Sequence, residues 1–306
     1  MTDKSFTLPS FAKINWLLRI LGKREDGFHE LCTIFQTVSL FDEITFEPGE
    51  SVTLNCADEM IPSDESNLIV QAALLLQKEF DVKAGAKIHL EKRIPAPGGL
   101  GGGSSNAAIA LVGLATLWDL EIGFEKLVEI GARLGSDVPF FLYGGTALGT
   151  GRGEEIFPLQ DLDEKLLLIA TPPVNVSTAD AFARTGAPRL TNETSKSILK
   201  ICQNEAARFN PRQRELSNDF EESIFGTDPE IARVKERLLS LGAKQAILSG
   251  SGASVFALFD KEETRQAAQK ALEEETNWRK FAVATVSREE YRAALKKCER
   301  LFPISF

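Results

Sequence analysis

Five glycines stand between Gly98 and Gly103 in PAPGGLGGGSSNAA, Pro95 to Ala108, and good helix formers follow without a break. Glycine costs conformational entropy wherever it sits, so backbone this bare marks a close approach or φ values that other residues avoid. At a helix start the unpaired N–H groups and the positive end of the dipole make a site for an anion such as phosphate. Neither common glycine signature fits. A dinucleotide fingerprint needs glycines at i, i+2 and i+5, but Gly99 and Gly101 are followed by Ser104, and Gly101 and Gly103 by Asn106. Gly98 and Gly103 have the P-loop separation, yet Ser104 and Ser105 occupy the places of its lysine and hydroxyl. The loop therefore suits phosphates but brings no lysine of its own. The rival interpretation is a flexible connector, which the flanking strand pattern AKIHLEKRI and helix pattern IALVGLATLW weaken.

Lys13, inside the apolar run FAKINWLL, is one source of the missing cation. A charge there is either paired and functional or a strand-end lysine reaching for water. Asp137 in GSDVPFF is open to two roles, helix cap or general base. SGSGASVFALF, Ser249 to Phe259, places Gly250 and Gly252 between apolar runs, either as a turn closing over a ligand or as a plain hairpin. Phosphoryl transfer to an alcohol needs backbone donors for the phosphates, a cation near the transferred group and a base for the hydroxyl. The loop, Lys13 and Asp137 supply that set.

The four stretches, in this order and spacing, resemble the GHMP small-molecule kinases over most of the chain. Within that superfamily GKREDGFHELCTIFQTVSLFDEI and the triple glycine before SSNAA resemble the branch that phosphorylates the 2-hydroxyl of a cytidylyl methylerythritol for isoprenoid synthesis. A mevalonate- or homoserine-type kinase is the alternative. The resemblance implies an α+β, two-lobed fold with a β-rich N-terminal ATP and catalytic lobe (1–160) and a C-terminal α+β lobe (161–306). It further implies that Pro95, Ala96, Pro97, Gly98, Gly99, Leu100, Gly101, Gly102, Gly103, Ser104 and Ser105 wrap the phosphates of ATP. By the same resemblance Asp137 would take the hydroxyl proton, with Lys13 orienting it and favouring its charged form. Asn15 would contact substrate, Phe28 and His29 resemble the cytosine-recognition pair, and Phe182 resembles the aromatic that covers the base's other face. Phe28 stands where the branch more usually has tyrosine, a change that keeps stacking and loses a phenol. Mg²⁺ is expected with ATP, although the sequence shows no dedicated acidic ligand set; Ser105 offers a hydroxyl that also serves as a helix cap.

Composition agrees with a small-molecule enzyme. The net charge of −9, with no Lys/Arg-rich run, argues against nucleic-acid or anionic-membrane partners. Cys32, Cys56, Cys202 and Cys298 have no metal-finger spacing, and His29 and His89 are the two imidazoles, so no structural zinc or disulfide framework is expected. MTDKSFTLPS lacks a signal core, from which a cytoplasmic location follows. FAKINWLLRI and TIFQTVSLFDEITF predict strands around a polar turn, VTLNC a short strand, LIVQAALLLQKEF a helix capped by Ser66 or Asn67, and GGTALGTGRGEEIFPL a hairpin. After about Val174 the pattern predicts helices over TADAFART, SKSILKICQNEAARF and DPEIARVKERLLSLG, then a final helix over TRQAAQKALEEE and a strand, KFAVATV.

Overall fold

A computed structural model describes residues 5–187 and 200–303. Strands β1 (Phe6–Lys23) and β2 (His29–Gly49) run antiparallel, joined by a polar turn in which the Asp26 carboxylate accepts the Phe28 N–H. The middle of the pair is buried on both faces, which is why its sequence alternates only in part. Register shifts at Phe11/Ala12 and between Asn15 and Leu17 bend β1, and Lys13 and Asn15, two residues apart, share the face between them.

Along its other edge β2 pairs with β4 (Gly85–Glu91) and β5 (Thr146–Thr150); β3 (Val52–Cys56) runs parallel to β4, and β6 (Glu155–Pro158) closes the predicted hairpin with β5. Helix α1 (Leu68–Phe80) starts at Asn67, whose side-chain oxygen accepts the Ile69 N–H at 2.9 Å. Helix α2 (Gly102–Leu117) packs on α1, β1 and β2, and every residue from Ser105 to Ala115 is buried. Its sequence is apolar all round for that reason. Helices α3 (Phe124–Leu134) and α4 (Val138–Tyr143) complete the layer.

The second sheet is antiparallel, in the order β11 (Arg279–Val283), β7 (Leu167–Thr171), β10 (Val255–Leu258), β9 (Gln245–Leu248). Around it lie α5 (Thr178–Arg184), α6 (Glu221–Thr227), α7 (Pro229–Ser240) and α8 (Glu262–Ala271). The start of the predicted helix SKSILKICQNEAARF, 195–199, lies outside the described residues; 200–206 are helical. Several contacts tie the halves together, among them a strand pairing and the final segment. Strand β8 (Ser217–Asn218) pairs in parallel with Leu17 and Leu18 of β1. The helix over TRQAAQKALEEE is also not the last: α9 (Arg288–Ala294) follows, opened by a capping box between Ser287 and Glu290. Seven residues are too few for helical periodicity to stand out in the sequence. Tyr291, Leu295, Cys298 and Leu301 then enter the N-terminal core, and the Tyr291 hydroxyl donates to the Phe141 carbonyl of α4. The end of the chain thus braces the short helix that begins immediately after Asp137.

Candidate active site

Lys13 is almost wholly buried, and its ammonium donates to Asn15 Oδ1 at 2.8 Å and to the Gly99 carbonyl at 2.9 Å. Asp137 Oδ2 lies 3.5 Å from the same Nζ, and the carboxylate is one-third exposed. Burial pulls the Lys13 pKa below its ordinary value, and the charge of Asp137 opposes that shift. Asp137 precedes α4 yet makes no side-chain capping bond, so its carboxylate is not spent on the helix. Of the two roles open to it in the sequence, the geometry leaves it available as a base. Asn15 is held as firmly: Oδ1 also accepts the Gly250 N–H at 3.0 Å, and Nδ2 donates to Thr33 Oγ1 at 2.7 Å. Its carbonyl therefore ties the Lys13 ammonium to the SGSG turn.

That turn joins β9 to β10 as a hairpin and also clamps the glycine loop. Ser254 N–H donates to Gly98 O at 3.1 Å, and Ser249 Oγ to Gly99 O at 3.0 Å. The Lys13 N–H donates to Leu100 O at 3.0 Å. With these carbonyls turned into protein contacts, and Gly101 accepting from Ser105 N–H at 2.8 Å, the first N–H groups of α2 have no intrahelical acceptor. Gly99 and Gly101 both sit at φ +70, where a side chain on Gly99 would begin 2.0 Å from the Ser249 carbonyl oxygen. Only glycine satisfies both the dihedral and the contact.

Beneath the loop, Asp42 is fully buried and takes four donors: Lys92 Nζ at 2.5 Å, Arg93 N–H at 2.7 Å, Ile94 N–H at 2.8 Å and Asn106 Nδ2 at 2.9 Å. This network fixes the strand that enters the loop to the helix that leaves it. Ser105 belongs to it, with its hydroxyl accepting from Ser10 Oγ at 2.8 Å, and is fully buried. Pro95 to Ser104 line a cleft of about 450 Å³ together with Lys13, Asn15, Asp137 and the SGSG turn; Ser105 lies outside that lining.

Phe182 and Phe220 also line the cleft, whereas Phe28 and His29 lie outside that lining. The His29 ring stacks on Phe182 at 4.9 Å and 14°, and Phe182 meets Phe220 edge-on at 4.8 Å. Burial and the neighbouring Lys23 charge hold the His29 pKa below its ordinary value, so the ring is neutral at pH 7. Phe28 is 52% exposed and carries the Arg152 guanidinium over its ring at 4.8 Å. The structure thus brings Lys13, Asn15 and Asp137 together at the loop and pairs His29 with Phe182. Phe28 sits against Arg152 instead of facing Phe182.

Two family models match the chain: GHMP kinases N terminal domain over residues 67–145, and GHMP kinases C terminal over residues 198–277. A 4-diphosphocytidyl-2-C-methyl-D-erythritol kinase of Solibacter usitatus (strain Ellin6076) is 41% identical over 302 residues, covering 97% of this chain and 93% of the relative. The chain belongs to the 4-diphosphocytidyl-2-C-methyl-D-erythritol kinase family. The enzyme of that name from Listeria monocytogenes serotype 4b (strain CLIP80459) is 40% identical over 83% of this chain and 86% of its own. A crystal structure of 4-(cytidine 5'-diphospho)-2C-methyl-D-erythritol kinase aligns with a TM-score of 0.72 at 33% identity, over 92% of this chain and 99% of that one. Homoserine kinase from Cytophaga hutchinsonii, at 20% identity and a TM-score of 0.66, shares the fold.

Membership of the 4-diphosphocytidyl-2-C-methyl-D-erythritol kinase family makes this an ATP-using transferase that phosphorylates an alcohol, with the two-lobed α+β GHMP fold. Sequence reasoning missed Arg152, Ser136, Thr178 and Phe220, which also line the cleft. Arg152 had one signal, an arginine set between two glycines at the tip of a hairpin. Ser136 had its place beside Asp137 in GSDVPFF; Thr178 and Phe220 had no signal, because they reach the cleft only through tertiary packing. Among the described residues no helix is long and apolar enough to cross a membrane.

Proposed function

We propose that this chain transfers the γ-phosphoryl group of ATP to the 2-hydroxyl of 4-diphosphocytidyl-2-C-methyl-D-erythritol, giving the 2-phosphate and ADP in the cytoplasm. The observation that carries the chemistry is the buried Lys13 ammonium 3.5 Å from an Asp137 carboxylate that caps no helix, beside the glycine loop in one cleft. Pro95 to Ser104 wrap the phosphates, which the backbone N–H groups of the non-proline residues there and at the start of α2 hold, with Ser105 fixing the helix start from below. Asp137 takes the proton of the substrate hydroxyl as that oxygen attacks the γ-phosphorus. The new O–P bond forms as the bond to the β-phosphate oxygen breaks, and ADP leaves with the electron pair. Lys13, held by Asn15 and Gly99, keeps Asp137 charged and steadies the charge on the transferring group.

Mg²⁺ accompanies the nucleotide in this proposal. Among the described residues no three His, Cys, Asp or Glu side chains gather to hold a metal, and Asp137 is the carboxylate in the cleft wall. The ion would be held chiefly by ATP phosphates, where it offsets their charge. Phe28, His29 and Phe182 receive the cytosine, His29 as a neutral ring able both to donate and to accept. Asn15 meets the methylerythritol end with its remaining amide hydrogen. The domain division belongs to the same proposal, with a boundary near residue 160 and the final segment returning to the first lobe.

The test is ATP consumption by purified protein with the cytidylyl substrate, mevalonate and homoserine in parallel. Turnover confined to the cytidylyl substrate is the expected result, and turnover of either other alcohol instead would reassign the substrate.

A further inference from the structure

Between His29 and Asp137 stands a second cation. Arg152 occupies the tip of the β5–β6 hairpin, between Gly151 (φ +67) and Gly153 (φ +103). The tip is anchored to β2 directly after His29: Leu31 N–H donates to the Gly151 carbonyl at 2.7 Å, and Gly151 N–H to Glu30 Oε1 at 3.0 Å. On the other side it abuts the reacting end, since Asp137 Oδ1 lies 3.9 Å from the point where a Gly153 side chain would begin. The hairpin therefore sets Arg152 between the residues assigned to the base and the residue assigned to the hydroxyl.

Its guanidinium is held but not exhausted. Glu154 Oε1 accepts from Nε at 3.0 Å, Glu154 Oε2 accepts the Arg152 backbone N–H at 2.6 Å, and the Phe28 ring supports the guanidinium carbon from 4.8 Å. The two terminal Nη groups have no hydrogen-bond partner among the described residues, and Arg152 lines the cleft. The other lysine or arginine in that lining is Lys13, whose ammonium is already engaged with Asn15, Gly99 and Asp137.

The substrate proposed above carries a diphosphate between its cytidine and its methylerythritol, and that group needs a counter-charge in a protein of net charge −9. We propose that Arg152 is a specificity-determining residue that binds the diphosphate bridge of the substrate through its free Nη groups. The inference rests on the proposed function, because only a substrate with a diphosphate between base and alcohol makes use of a cation at this point. A guanidinium matches two non-bridging phosphate oxygens at once, which an ammonium does not. Phe28 and Glu154 hold that fork in place before the ligand arrives.

The experiment compares wild type, Arg152→Gln and Arg152→Lys, with cytidine, CMP and CDP as competing ligands and full kinetics on the cytidylyl substrate. Arg152→Gln is expected to raise KM for that substrate and to weaken CDP by about 10- to 100-fold, the range for charge-assisted hydrogen bonds, while cytidine changes by less than about twofold. Here kcat and KM for ATP stay near wild type, and Arg152→Lys falls between the two. Equal weakening of cytidine and CDP overturns the proposal in favour of a base contact. A fall in kcat with CDP binding intact overturns it in favour of a role in the transfer itself. No change in any constant overturns it outright. Should Arg152→Gln fail to fold, wild type alone decides: CDP must bind more tightly than cytidine, with an advantage that shrinks as salt rises. If wild type prefers CDP to cytidine but does not phosphorylate the cytidylyl substrate, the functional assignment fails while the diphosphate subsite stands.

Discussion

The Lys13 ammonium hydrogen-bonds to Asn15 and Gly99 and stands 3.5 Å from Asp137, so a single buried charge connects the first strand, the glycine loop and the residue before α4. Asp137→Asn keeps the shape and removes the base, so turnover is expected to fall by about 100-fold or more while ATP still binds by calorimetry. Lys13→Ala is expected to be as damaging, and the double variant little worse, because groups acting as a unit are not additive. Losses that multiply would show two independent contributions.

The same pair gives a pH dependence for stability. Burial lowers the Lys13 pKa in the folded state, and the Asp137 charge limits that shift. Between the folded pKa and the ordinary 10.5, the unfolded chain binds the extra proton, so raising pH through that window favours folding. Asp137→Asn removes the opposing charge and widens the window. Its Tm, compared with that of the Lys13→Met/Asp137→Asn double variant, should lag most near neutral pH and catch up as pH rises. A gap that stays constant with pH would show that the Lys13 charge costs the fold nothing.

Two glycines of the loop separate folding from binding. Gly99→Ala places a Cβ against the Ser249 carbonyl at positive φ, and a loss of at least about 1–3 kcal/mol is expected from backbone strain alone. At Gly103 the nearest atom to an added Cβ is 3.9 Å away, so Gly103→Val should fold with a smaller loss. Its branched side chain stands at the opening of α2 and should weaken ATP instead. Thermal melts and ATP titrations of the two variants distinguish these effects, and equal damage to both properties in both variants would contradict the assignment.

Asp42 props the loop without touching the cleft. Asp42→Ala strands Lys92 and three other donors in the interior, for which about 3–5 kcal/mol of destabilisation is expected by denaturant unfolding. A change below about 1 kcal/mol would mean that water or a neighbour replaces the carboxylate.

His29 is expected to discriminate between bases. Cytosine presents an amino donor where uracil has a carbonyl acceptor, and stacking alone does not tell them apart. His29→Ala should narrow the preference for the cytidylyl over the uridylyl form of the substrate. In wild type that preference should weaken as the ring becomes charged, below pH 6.5 because its pKa is lowered. A ratio of catalytic efficiencies indifferent to both changes would remove the side chain from base recognition.

The sequence by itself determined the family and singled out candidate carriers of its chemistry. A glycine cluster between a strand pattern and a helix pattern, a lysine in an apolar strand and an aspartate before VPFF are local features, legible because each violates what its surroundings favour. The main strands and helices were legible too, since periodicity is a property of neighbours along the chain. Tertiary structure alone decided what those residues do to one another. It spends the Asn15 carbonyl on Lys13 and the SGSG turn, buries the Ser105 hydroxyl beneath the loop, stacks His29 on Phe182 and stations Arg152 over Phe28. It also returns Tyr291 to brace α4, across 150 residues of chain. These contacts join positions remote in sequence, and their partners are fixed by packing and by the pairing of buried polar groups, neither of which leaves a local pattern to read.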